Sequence, residues 1–98
     1  MLTIENYNKL RGYRFGEMNE WELYGIDWIS YENKYVFELR KRNGNANEYF
    51  DIELNRIAEY HKASGNMVYK MNGRKWTLDY LRDINNMKIA IDYTIKER

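Results

Sequence analysis

The sequence predicts a small α+β domain built on an antiparallel β-sheet, and two features support this fold class. Residues 35–54 form two runs of alternating apolar and polar residues around Asn43-Gly44, which is the pattern of a β-hairpin. A second turn signal, Asn72-Gly73, also lies between short apolar runs. We therefore expect an antiparallel sheet of four to six strands, made of a meander, a second hairpin and a C-terminal strand, together with two or three short helices.

The first predicted element is a short amphipathic helix. Thr3 is a suitable N-cap, and Ile4, Tyr7 and Leu10 recur at helical spacing. Gly12 follows them, and glycine commonly ends a helix. We expect this one small helix to lead the chain.

Three strands are then expected to form the meander. The segment 20–30 has a strand-like pattern that Gly25 interrupts, which indicates a bulge or a bend. A turn at 31–34 leads into the hairpin of residues 35–54. Because side chains alternate between the two faces of a strand, this hairpin has one face for the core and one for water. The side chains expected to point inward are Tyr35, Phe37, Leu39, Phe50, Ile52 and Leu54.

After the hairpin the hydrophobic period changes from that of a strand to that of a helix. Ile57, Ala58 and His61 follow Asn55 at helical spacing, and Gly65 stands where a helix would end. This pattern predicts a second short helix over residues 55–65. The hairpin around Asn72-Gly73 is expected to come next.

The C-terminal segment fits two different structures. Thr77 can cap one or two helical turns, which the pair Asn85-Asn86 would end. Residues 87–95 alternate as a strand does, although one face of a long helix over residues 77–96 would also be apolar. The alternation and the β-branched content favour the C-terminal strand.

Composition excludes several classes of protein. The 16 basic and 15 acidic residues give a formal net charge of +1, so no global field draws the chain to nucleic acid or to anionic lipid. The chain has no cysteine, which excludes a disulfide framework and thiol chemistry. No signal peptide or membrane-spanning segment is visible in the sequence. We expect a single cytoplasmic domain over residues 1–98 that does not associate with a membrane.

No residue pattern predicts a catalytic site. His61 is the only histidine, and motifs for nucleotide binding or a serine nucleophile are missing. Asp51 and Glu53, with Asp27 or Glu38, could imitate a metal-dependent nuclease site. Cross-strand pairing of Asp51 or Glu53 with Arg40 or Arg42 explains these carboxylates more simply. We therefore expect no enzymatic activity, cofactor or metal, and a nuclease is the least favoured alternative.

Basic residues flank both predicted hairpin turns. Together with nearby aromatic rings they could contact phosphates and bases, which would make the protein a nucleic-acid-binding module. Basic side chains at strand ends also keep a sheet soluble and limit edge pairing, and this simpler interpretation is favoured here. The residues of the nucleic-acid alternative are Arg40, Lys41, Arg42, Arg74 and Lys75.

The ten tyrosines are more than one small core can bury, so several should lie at the surface. Exposed tyrosines are common anchors of protein interfaces. In its richness in Asn, Lys, Ile, Tyr and Glu and its lack of Pro and Cys, the chain resembles small proteins of phages and mobile elements, including anti-CRISPR inhibitors of Cas9-type nucleases. This resemblance implies a phage protein that inhibits a CRISPR nuclease in a bacterial host cell by stoichiometric binding.

A partner that normally binds nucleic acid has a basic channel, so a surface that docks there should be acidic. The acidic side chains would then take the places of phosphates, and the tyrosines would anchor the contact. The residues predicted for this protein-binding surface are Tyr13, Glu17, Glu20, Glu22, Tyr24, Tyr31, Tyr49, Asp51 and Glu53.

Overall fold

In the described part of the chain, six strands follow one another in a single antiparallel sheet, in the order β1-β2-β3-β4-β5-β6. The structure is a computed structural model, and it describes residues 7–62 and 66–98. The predicted α+β class and the strand number are confirmed. The strands are β1 (Arg14–Phe15), β2 (Trp21–Ile29), β3 (Lys34–Asn43), β4 (Ala46–His61), β5 (Asn66–Met71) and β6 (Arg74–Thr77).

The first hairpin has the predicted inward and outward faces. In its register Phe37 lies opposite Ile52, and both side chains are fully buried. Leu39 and Leu54 are equally buried, whereas Phe50 is half-buried at the margin of the core. Both predicted hairpins form. The second turn is at Asn72-Gly73 as predicted, whereas the first is one residue further on, at Gly44-Asn45, because Asn43 still belongs to β3 and pairs with Ala46.

The irregularity predicted at Gly25 is a shift of register between β2 and β3. A Cβ atom at Gly25 would lie only 2.6 Å from Oε1 of Glu38, so the carboxylate occupies the space that a side chain would need. The predicted turn into β3 is a short 3₁₀ helix, Ser30–Glu32, followed by Asn33 with a φ of 56°. Asparagine tolerates this left-handed conformation better than most residues.

The helix predicted over residues 55–65 is wrong. Residues 55–61 continue β4 and pair with β5 from Leu54 opposite Met71 to His61 opposite Asn66. Ile57 lies opposite Val68, which is buried. The backbone of residues 55–61 therefore pairs with β5, although the spacing of their apolar side chains is that of a helix. Pairing with the next strand of the sheet overrides local preference in this segment.

Some residues of the two predicted helices lie outside the described part of the chain. These are Gly65 and the N-terminal residues Thr3 and Ile4 of the leading helix. In the described part of that helix, Tyr7 and Asn8 are helical, and Leu10 donates its backbone N–H to the carbonyl of Tyr7 at 2.8 Å.

The C-terminal strand predicted over residues 87–95 is also wrong. After α1 (Leu78–Arg82), the chain turns at Asp83 and forms α2 (Ile84–Lys96). The predicted cap is confirmed, because Thr77 Oγ1 accepts the backbone N–H of Tyr80 at 3.3 Å. The pair Asn85-Asn86 does not end a helix but starts one, since Asp83 Oδ1 accepts both of its backbone N–H groups.

The helices cover the inner face of the sheet and complete the core. Leu81 of α1 and Met87, Ala90 and Ile91 of α2 are fully buried in the same cluster as the inward side chains of β2, β3 and β4. Ile89 is exposed, whereas a strand would have buried it together with Met87 and Ile91. The burial of residues three and four apart therefore follows the helical period.

Replacing Phe37 with alanine tests the position of the core. Phe37 is fully buried between Leu39 and Tyr35 on β3, so Phe37→Ala should cost about 3–5 kcal/mol of unfolding free energy. Urea denaturation followed by circular dichroism would measure this loss. Tyr31→Ala is the matched control, because Tyr31 is 87 % exposed and its loss should change stability little. Equal effects of the two substitutions would contradict this core.

Tyr7 gives the fold a specific response to alkaline pH. Its ring is 2 % exposed, its hydroxyl has no hydrogen-bond partner among the described residues, and burial raises its pKa far above the ordinary value. The folded state therefore holds a proton that the unfolded state releases near pH 10. Stability should decrease as the pH rises through that value.

Tyr7→Phe keeps the ring and removes the hydroxyl. We expect this variant to lose less stability than the wild type between about pH 8 and about pH 11, and to be no less stable at neutral pH. Tyr60→Phe is the control, since Tyr60 is exposed. Urea denaturation across this range would measure the slopes, and identical slopes for the wild type and Tyr7→Phe would contradict the assignment.

Candidate functional site

The outer face of β2, β3 and β4 lies on the opposite side of the sheet from the helices. Alternation and register place its side chains in rows: Glu38 lies opposite Asp51, Val36 opposite Glu53, and Arg40 opposite Tyr49. We call the central part of this surface, which Lys34 and Arg42 flank at the two ends of β3, the acidic face. Its members are Glu22, Tyr24, Asp27, Val36, Glu38, Arg40, Tyr49, Asp51 and Glu53.

Two carboxylates of the acidic face are paired. Arg40 Nε donates to Glu22 Oε1 at 2.7 Å, and Lys34 Nζ lies 2.8 Å from Glu53 Oε1 and 2.8 Å from Oε2 of Glu32. The hydrogen bonds to Glu32 and Glu53 raise the pKa of Lys34 well above its ordinary value, so this ammonium stays charged.

Three carboxylates of the acidic face have no such partner. Within residues 7–62 and 66–98, no lysine or arginine forms an ion pair with Asp27, Glu38 or Asp51. The pairing of Asp51 or Glu53 with Arg40 or Arg42, which the sequence suggested, does not form. The centre of the acidic face therefore keeps uncompensated negative charge.

Aromatic side chains adjoin this charge. The rings of Tyr24 and Tyr49 meet edge to face at 5.9 Å, and the guanidinium of Arg40 lies 5.0 Å above the ring of Tyr24. Burial of its hydroxyl and the nearby carboxylates of Glu38 and Asp51 raise the pKa of Tyr24. Tyr49 is exposed, so the face presents aromatic surface beside carboxylates.

The structure brings together five of the nine residues predicted for protein binding: Glu22, Tyr24, Tyr49, Asp51 and Glu53. It adds Asp27 and Glu38, which the sequence had suggested only as metal ligands. The alternation of side chains already placed Glu38 on the outer face, but its position opposite Asp51 follows from the turn at residues 44–45, which sets Asn43 opposite Ala46. A turn at Asn43-Gly44 would have set Glu38 opposite Tyr49.

The other four predicted residues lie elsewhere. Glu20 Oε2 accepts the backbone N–H of Met18 at 2.9 Å and so organises the loop between β1 and β2. Glu17, on the same loop, is 3.9 Å from Nζ of Lys96. The ring of Tyr13 lies 4.6 Å from Nζ of Lys88, and Tyr31 is in the 3₁₀ turn.

The five basic residues of the nucleic-acid alternative do not share one surface. Arg40, Arg42 and Lys75 are on the outer face, whereas Lys41 and Arg74 alternate to the inner side. Met71, at the second turn, pairs with Leu54, eight positions along β4 from Ala46 at the first turn. At about 3.3 Å per residue, the two turns are about 26 Å apart along the sheet.

Four of these basic side chains also have partners of their own. Arg40 binds Glu22, as described above. Lys41 Nζ lies 3.0 Å from Glu48, and Lys75 Nζ lies 3.1 Å from Glu59. Arg74 donates to the hydroxyl of Tyr93 at 2.7 Å. This geometry favours the acidic face over the basic turns as the docking surface.

Other properties of the chain do not narrow the function further. In the part of the chain that the structure describes, His, Cys, Asp and Glu side chains nowhere gather in a group of three that could hold a metal ion. No helix within this part is long and apolar enough to cross a membrane. Comparison with family models, with curated proteins and with solved structures finds no match.

Neutralising Asp51 should stabilise the protein. Glu38 and Asp51 are directly opposed like charges, which destabilise a sheet. Asp51→Asn should raise the unfolding free energy by about 0.5 kcal/mol, and added salt should reduce the gain by screening the repulsion in the wild type.

Glu53→Gln is the matched control on the same strand and face. It removes one of the two carboxylate partners of Lys34 instead of a repulsion, so it should be neutral or slightly destabilising. Thermal denaturation of both variants at low and high salt would measure the difference. A lower melting temperature for Asp51→Asn than for the wild type would contradict the repulsion.

Proposed function

We propose that this protein is a non-enzymatic inhibitor that binds a protein partner through the acidic face. The observation that carries the proposal is the unpaired group Asp27, Glu38 and Asp51 beside the rings of Tyr24 and Tyr49. Opposed like charges cost stability in the free protein. A basic partner would remove that cost, so the arrangement is suited to binding.

The chemistry of this face also suggests the class of partner. Glu38 and Asp51 are opposite each other on adjacent strands, whose backbones are about 4.8 Å apart, and Asp51 and Glu53 are alternate residues of β4, about 6.6 Å apart along the strand. A rigid array of negative charge with adjoining aromatic rings can occupy a basic channel in place of nucleic acid, and a strand scaffold loses little conformational freedom on binding. The partner is therefore a nucleic-acid-binding protein.

The compositional resemblance to small phage and mobile-element proteins supports a bacterial CRISPR nuclease as this partner. The protein would act in the cytoplasm of the host cell, bind the nuclease stoichiometrically and prevent nucleic acid from entering its channel. No covalent chemistry is required of the inhibitor.

Retention of a nuclease by two matched double variants tests the proposal. E38Q/D51N removes two unpaired charges from the acidic face, and D79N/E97Q removes two charges from the helical side. Each protein is immobilised and exposed to lysate of a bacterium that contains a CRISPR nuclease, and bound proteins are identified by mass spectrometry. The wild type and D79N/E97Q should retain the nuclease, E38Q/D51N should not, and added DNA or RNA should displace it.

Equal retention by both double variants, or retention of no nucleic-acid-binding protein, would contradict the proposal. The nucleic-acid alternative is tested in parallel with the purified protein and naked DNA or RNA at about 150 mM salt. Under our proposal this binding is weak. Tight binding that the triple variant R40E/K41E/R42E loses would favour the basic turns instead.

A further inference from the structure

A groove of about 670 Å³ lies between the loop that joins β1 to β2 and the exposed side of α2. We call it the loop–helix groove. The loop contributes Gly16 and Met18, and α2 contributes Ile89, Tyr93 and Ile95. None of these groove residues belongs to the acidic face.

Two apolar side chains of this groove are exposed to solvent instead of being packed in the core. Met18 is 86 % exposed, and Ile89 is 54 % exposed on the side of α2 that otherwise carries Asn85, Asp92 and Lys96. Neither Met18 nor Ile89 takes part in the core cluster. Methionine is enriched at the centres of protein interfaces and adapts its shape to different partners.

The loop holds Met18 in a defined position. The backbone N–H of Gly16 donates to Asp92 Oδ1 of α2 at 2.9 Å, and the backbone N–H of Met18 donates to Glu20 Oε2 at 2.9 Å. Gly16 has a φ of 98° and Asn19 a φ of 53°, so the loop uses two left-handed residues to make its turns. The groove is therefore formed before any partner arrives.

The charged side chains around the groove are mostly acidic and favour a positively charged occupant. Three carboxylates line it, those of Glu17, Glu20 and Asp92, against the single ammonium of Lys96. The pair of Glu17 and Lys96 is long, at 3.9 Å, and both side chains are more than two-thirds exposed. A competing cation can replace such a pair at little cost. An apolar side chain flanked by lysine or arginine complements both the apolar lining and the acidic rim.

The groove is continuous with the acidic face. Glu20 lines the groove, and it also lines a second depression together with Glu22 of the acidic face and the arginines Arg14, Arg40 and Arg42. One partner can therefore contact both surfaces by passing around the β1 edge of the sheet.

We propose that the loop–helix groove binds a basic segment of the partner protein by taking up one large apolar side chain that lysine or arginine residues flank. This inference rests on the proposed function and extends its docking surface. Uptake of the apolar side chain gives the contact a specificity that charge alone does not provide.

The test uses a capped peptide with one leucine between two pairs of lysines, titrated into protein whose methionine and isoleucine methyl groups are isotopically labelled. The NMR signals of the Met18 and Ile89 methyl groups should shift in a saturable manner. A peptide with serine in place of leucine should bind about tenfold more weakly, and a peptide with glutamates in place of the lysines should leave these signals unchanged.

Ile89→Lys places a like charge in the groove and should weaken binding of the leucine peptide by about tenfold, with the Met18 methyl as the reporter. Asn45→Lys makes the same change of charge at the exposed first turn and should bind as the wild type does. Thermal denaturation would check that both variants are folded, which we expect because Ile89 is 54 % exposed and lies outside the core.

Several outcomes would overturn the inference. The leucine and serine peptides could bind equally, the glutamate peptide could bind as well as the lysine peptide, or no groove signal could shift. Dependence of the Met18 signal on the concentration of protein alone would identify a second copy as the occupant. Each of these results leaves the retention experiment with E38Q/D51N untouched, so failure of the groove is distinguishable from failure of the acidic face.

Discussion

The register between β3 and β4 determines the core and the acidic face together. Ten residue pairs join these strands, from Lys34 opposite Asn55 to Asn43 opposite Ala46. A slip of one residue would reverse the direction of every side chain on the slipped strand. Phe50 and Ile52 would then point to water, and Asp51 would point to the core. Burial of the inner face therefore holds Glu38 and Asp51 opposite each other, although their repulsion opposes that arrangement.

The parts of the fold that the sequence predicted correctly are those where turn chemistry and side-chain period agree. Around Asn43-Gly44 both indicate a hairpin, and the hairpin forms. Residues 55–61 carry a helical period, but β5 lies beside them and pairs with their backbone. Residues 87–95 alternate like a strand, yet the cap at Asp83 and the burial of Ala90 belong to a helix. In both segments the structure is decided by strand pairing, helix capping or core packing. The alternation of apolar and polar residues does not reveal these contacts.

The sequence predicts those members of the candidate site whose position depends only on the alternation of side chains between the two faces of a strand. Tyr49, Asp51 and Glu53 follow directly from their odd positions beside the inward Phe50 and Ile52. The importance of Glu38 required the register across the turn as well. The role of Arg74 depends on Tyr93, which the fold brings near on α2, and nothing local in the sequence indicates it. Glu20 instead accepts from the backbone of Met18, two residues before it, a local contact that the alternation of residues does not reveal.

The exposure of Met18 makes the loop–helix groove the part of the described structure that oxidants reach first. The chain has no cysteine, so its sulfur chemistry belongs to methionine. Met71 and Met87 are buried, and Met67 is half-buried. Peroxide converts an accessible thioether to a polar sulfoxide, and methionine sulfoxide reductases restore it. Oxidative stress in a cell would therefore change the polarity of this groove while the core stays intact.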